Sequence, residues 1–356
     1  MVNFNKFGSI IYWLTVILVL LFLTSCNTIA DNLAKETASQ PPDINLLASP
    51  VDINSALVST QASTTIPSFN RNKATPTSEG LPTLLPASPP THPVPTPTHL
   101  APGEWMSLPI IPTVSPTARQ VYVRGLELGN DPHAFSKIGD CQSITTYFLA
   151  QFDSPGSYDL GSFTSLQETI DWYSGSFARE SLAVKGGFNA ASILSPIRAD
   201  PKQCRSSENP VACELHLHHP SVAIISLEEW WAGYPENYEK YMRQIIEYTI
   251  SQGVVPIIAT KADNLEGNNL INETIANLAQ EYDIPLWNFW ASVQDLPNHG
   301  LAAYDPYGNV DMFHLTHGEL YEFSDELSDG RSGWTMRNLT ALQVLDAVRR
   351  GLAAQP

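Results

Sequence analysis

Ser221-Val222-Ala223-Ile224-Ile225-Ser226-Leu227 is a continuous, largely apolar run that follows Pro220 directly. It shows no alternation of polar and apolar residues. A run of this length without alternation fits a strand covered on both faces, which is how strands sit in a parallel sheet. Val254-Val255-Pro256-Ile257-Ile258-Ala259 has the same character, and its proline points to a place near a sheet edge. Ala134–Ile138 and Ile284–Phe289 are two further strand candidates. Between and around them lie apolar-periodic stretches at Ser143–Phe152, Leu166–Phe177, Tyr238–Gln252, Asn272–Tyr282 and Asn338–Leu352. In Tyr238–Gln252, Tyr241, Ile245, Ile246 and Thr249 share one helical face, and Gly253 stops the helix. Strands alternating with helices imply a single three-layer α/β/α domain with a central, mostly parallel sheet.

That domain accounts for residues 119–356. The start of the chain is different. Lys6 precedes an apolar run from Ile10 to Leu23, which ends in Leu23-Thr24-Ser25-Cys26. A positive start, a short apolar segment and small residues make an export signal over residues 1–26. The Leu-Thr-Ser-Cys ending resembles the bacterial lipobox, which would make Cys26 the lipid-carrying first residue of the mature chain. An uncleaved membrane anchor is the other reading. Both place the rest of the chain outside the cytoplasm, held at a membrane, on a cell surface or in a periplasm.

Residues 27–118 have almost no periodic apolar pattern. Of 28 prolines in the chain, 16 fall between Pro41 and Pro116, among Thr, Ser and Ala. Such composition favours polyproline II and a disordered tether, which could reach on the order of 200 Å when extended. The net charge of −17 argues against nucleic acid or an anionic membrane surface as a partner.

The four cysteines divide by context. Cys26 belongs to the lipobox. Cys204 and Cys213 lie nine residues apart in a segment with Pro and Ser, and in an oxidising compartment they can close a small disulfide loop. Cys141 is then the odd thiol, which in an exported protein invites a functional explanation.

Cys141 lies in Ile138-Gly139-Asp140-Cys141-Gln142-Ser143, directly after a strand candidate. Near the end of the chain stands Asp311-Met312-Phe313-His314-Leu315-Thr316. The two stretches supply a nucleophile, a base and a carboxylate to orient the base, the minimum for nucleophilic acyl transfer. Glu228-Glu229 and Lys261-Ala262-Asp263-Asn264 also follow strand candidates, and open parallel sheets gather sites at the carboxyl ends of their strands.

Motif order and fold pattern together resemble the GDSL/SGNH hydrolase superfamily of esterases and lipases, over roughly residues 120–350. The resemblance implies a flavodoxin-like three-layer fold and hydrolysis of acyl or acetyl esters, on a small molecule or a polysaccharide, without a cofactor. It makes Cys141 the nucleophile in place of the family's serine, His314 the base and Asp311 its orienting carboxylate. Gly139 and Asp140 would support the nucleophile turn. Backbone N–H groups of Cys141 and of Gly186 or Gly187 would hold the oxyanion. The family's Gly-x-Asn-Asp motif has no match: Glu228 stands about where its asparagine belongs, with Asn189, Asn264 or a protonated Glu228 as substitutes.

The alternative is a catalytically retired member of this fold that binds cell-wall or other saccharide, with Trp230, Trp231, Trp287 and Trp290 lining a cleft. Core packing is the more common fate of tryptophan. His216-Leu217-His218-His219 reads as part of an extended loop, with no second ligand group at metal-binding spacing, so no metal site is expected there.

Overall fold

The computed structural model describes residues 99–227, 235–305, 308–311, 313–324 and 331–354. In chain order its elements are α1 (Pro116–Glu127), β1 (Asp131–Gly139), α2 (Gln167–Trp172), α3 (Pro210–His218), β2 (Pro220–Ser226), α4 (Pro235–Ser251), β3 (Val255–Ala259), α5 (Leu270–Glu281), β4 (Leu286–Trp287), α6 (Phe289–Val293) and α7 (Gly333–Ala353). The four strands form one sheet in the order β1-β2-β3-β4, every pair parallel.

The quoted run is β2, and all seven of its residues are buried. Its side chains alternate between two cores. Val222 and Ile224 join a cluster with α1, α2 and α7, while Ala223 and Ile225 join one with α3, α4 and α5. Helices therefore cover both faces, and the layers are α/β/α. Helix starts follow local chemistry: the Ser115 side chain accepts from Ala118 N before Pro116, and Ser332 with Thr335 closes a capping box at α7.

Pro256 lies inside the sheet order, yet its local setting is that of an edge. Ile258 N donates to Pro285 O and Thr260 N to Trp287 O, so the amides of alternate residues face β4. Two residues before Ile258, Pro256 faces the same side below the point where β4 begins. A missing N–H costs nothing there.

Two other expectations change. The stretch Ser143–Phe152 is not one helix. It contains short 3₁₀ turns at Cys141–Ser143 and Ala150–Asp153, with Leu149 at φ +68° between them. Asn338 of α7 takes over the backbone pairing, accepting from Leu149 N at 2.8 Å and donating to Tyr147 O at 3.0 Å. A contact across the fold thus overrides the local periodicity. The folded body also begins before residue 119. Trp105 is buried, and Asn288 Nδ2 donates to Trp105 O and Leu108 O at 3.1 and 2.9 Å, which ties the segment to the turn after β4. Proline-rich composition hid an ordered segment because its partners lie about 180 residues away.

Candidate active site

β1 ends in a turn that leaves no room for a side chain at Gly139. A Cβ there would stand 2.2 Å from Ser143 Oγ and 2.7 Å from Ser226 O. Asp140 is buried, and its Oδ1 accepts from Gln142 N at 2.9 Å, fixing the bend on which Cys141 sits half-exposed.

His314 reaches this turn from the other end of the chain. Its Nε2 lies 3.8 Å from Cys141 Sγ, and its Nδ1 lies 2.8 Å from Asp311 Oδ2. The other carboxylate oxygen of Asp311 accepts from Phe313 N and His314 N, both at 3.0 Å. One aspartate therefore shapes the loop backbone and orients the ring. Burial pushes the Asp311 carboxyl up, but those two N–H groups and the imidazole together outweigh it, and its pKa falls below the usual aspartate value. An ionised Asp311 opposite Nδ1–H leaves Nε2 toward sulfur, the arrangement of a base.

The glycine-bearing loop runs alongside. Val184 bridges Gly139 in parallel, Gly139 N donates to Ala183 O at 2.9 Å, and Lys185 N donates to Gly139 O at 3.3 Å. Gly186 and Gly187 follow immediately at the surface, Gly187 with φ +81°. Asn189 is engaged in its own turn: its Oδ1 accepts from Ser192 N at 2.7 Å, and its N donates to Ser192 Oγ. Asn264 likewise accepts from Asn269 N. Glu228 and Glu229, with Trp230 and Trp231, lie outside the described residues.

Other candidates have structural partners. Trp287 is fully buried with its N–H on Thr340 Oγ1, and Trp290 packs edge-on against Trp105. Lys261 is buried between Asp263 and Glu266, at 2.6 and 2.5 Å. The histidine run is helical, not an extended loop: His216 and His218 end α3, where they face Glu208 and Glu214 at 3.3 and 3.6 Å. Asn209 caps that helix, and Pro210 opens it, a start signal overlooked beside the cysteines. Cys204 and Cys213 are joined by a disulfide.

Two residues that sequence reasoning passed over hold the site together. Gln142 is fully buried, and its Nε2 donates to Phe313 O at 3.1 Å, linking the Cys141 turn to the His314 loop. Arg337 of α7 is also fully buried. Its Nε donates to Gln142 O at 2.9 Å and its Nη2 to Ser226 Oγ at 2.6 Å, while Phe148, Trp287 and Phe289 surround its guanidinium at about 5 Å. The available signal was a charge on a buried stripe, three residues after Trp334 and four before Ala341.

Neither a family model nor a curated protein matches the chain. Among solved structures, it is similar to a protein assigned to the lipolytic G-D-S-L family from Desulfitobacterium hafniense DCB-2, with 15% sequence identity and a TM-score of 0.35, over 59% of this chain and 98% of that one.

Proposed function

We propose that this chain is an exported, lipid-anchored ester hydrolase in which Cys141 is the nucleophile. The supporting observation is the unbroken line from Cys141 Sγ through His314 to Asp311, at 3.8 and 2.8 Å. His314 takes the thiol proton, and sulfur attacks the ester carbonyl to form a tetrahedral oxyanion. The oxyanion collapses, His314 returns the proton to the departing alcohol, and a thioester remains on Cys141. Water, deprotonated by the same histidine, then releases the acid and restores the thiol. In this mechanism the backbone N–H groups of Cys141 and of Gly186 or Gly187 would hold the oxyanion.

The full chain in detergent is expected to release p-nitrophenol from p-nitrophenyl acetate. His314→Ala should lower that rate by about 10²–10⁴-fold, the usual contribution of a positioned base. A rate in His314→Ala equal to that of the parent overturns the mechanism. Saccharide binding without turnover is less well supported, because Trp287 is in the core and Trp290 packs on Trp105.

A further inference from the structure

Beside the glycine loop lies a hollow of about 470 Å³. One wall is Ser181–Phe188, the segment paired to the end of β1 through Val184 and Lys185. The opposite wall is Ile197–Pro201. The catalytic turn and the hollow therefore share a structural element: Lys185 holds Gly139 O, and Gly139 stands two residues before Cys141.

The chemistry of this hollow is unusual for the chain. The protein carries a net charge of −17, and its surface guanidiniums are mostly matched, as Arg179 is with Glu214, Arg243 with Glu239 and Glu281, and Arg350 with Asp346. Lys185 and Arg198 both line the hollow, and among the described residues neither side chain has a hydrogen-bond or ion-pair partner. One carboxylate, Asp200, shares the lining. Its oxygens are directed into its own turn, accepting from Lys202 N at 2.8 Å and Gln203 Nε2 at 3.1 Å. Ile197 stands at the rim 88% exposed, an apolar surface beside two cations. Such a lining suits a molecule with an apolar body and an anionic group.

The far wall is also fastened. Cys204 N donates to Asp200 O at 2.9 Å, and the Cys204–Cys213 disulfide ties this loop to α3, which packs against β1. The staple thus fixes the cation-bearing loop relative to the strand that carries the nucleophile turn.

We infer that this hollow is the subsite for an acidic group on the ester, so that the substrate class is esters bearing a carboxylate or similar anion near the scissile bond. The inference rests on the hydrolase reading above. The test compares 4-acetoxybenzoate with its uncharged counterpart methyl 4-acetoxybenzoate, using the full chain in detergent at low salt. The acidic-to-neutral ratio of kcat/KM is expected to fall roughly fivefold in Lys185→Gln/Arg198→Gln, as for two exposed charge pairs. The charge-preserving Lys185→Arg/Arg198→Lys should keep the ratio, and added salt should shrink it in the parent and in that variant but not in Lys185→Gln/Arg198→Gln. Cleavage of both esters with a ratio that does not move overturns this inference and leaves the hydrolase reading standing. Cleavage of neither ester overturns the hydrolase reading, and this inference with it.

Discussion

A thiol in place of a hydroxyl changes the task of the neighbouring histidine. Serine needs a base in the transition state because its proton leaves only then, whereas a cysteine can pass its proton to imidazole beforehand and wait as a thiolate. The 3.8 Å separation from His314 Nε2 suits either course, and the ionised Asp311 supports the imidazolium that forms. Four residues upstream, Lys137 shows the other side of charge in this fold. It is buried, donating to Phe177 O at 2.8 Å and Thr145 Oγ1 at 3.1 Å. Its pKa is pushed down from 10.5 to about 8, first by burial and then by the Arg179 guanidinium, against the pull of Glu180, Glu214 and Asp153. Between those two values the unfolded chain holds a proton that the folded chain has released, so this residue makes stability rise with pH there and costs most below about 8. Urea unfolding of Lys137→Met at several pH values should lose that rise, worth about 3 kcal/mol across the window. A parent and variant with parallel profiles would contradict it.

At the scale of elements, the site depends on α7 although α7 supplies no reacting group. Arg337 bonds both the Cys141 turn and the end of β2, and Gln142 passes the tie on to the His314 loop. Removing the guanidinium withdraws a donor from Gln142 O inside the core, and a buried acceptor left without its donor costs about 1–3 kcal/mol. Arg337→Met is therefore expected to lower the urea-unfolding free energy by about 2–4 kcal/mol from the bonds to Gln142 and Ser226. A variant as stable as the parent would show that the three aromatic rings, not the hydrogen bonds, explain the burial. This brace was hard to read from sequence because Gln142 and Arg337 are 195 residues apart. The helix that carries Arg337 reads as beginning at Asn338 when judged by apolar period, yet Ser332 caps it and Gly333 starts it. The capping box does not match the common Ser/Thr-x-x-Glu/Gln pattern, having Thr335 where an acidic or amide residue is usual.

For the whole molecule, the proposed lipid anchor predicts a membrane address, and Cys26→Ser is expected to move the chain from the membrane fraction to the soluble fraction. Persistence at the membrane in that variant would favour an uncleaved anchor at Ile10–Leu23. Sequence alone established the α/β alternation, the parallel sheet implied by β2 and β3, the pairing of Cys204 with Cys213 as a possibility, and the order of the motifs ending in Cys141 and His314. These properties are local, since periodicity, caps and spacing are set by residues within a turn or two of one another. The tertiary structure alone decided that Cys141 and His314 meet, that Trp105 belongs to the core, that Ser143–Phe152 breaks into 3₁₀ turns, and that two unmatched cations line one hollow. Each of these depends on groups distant in the chain satisfying one another's hydrogen bonds or leaving a charge unmatched. Only the folded backbone brings such groups within reach.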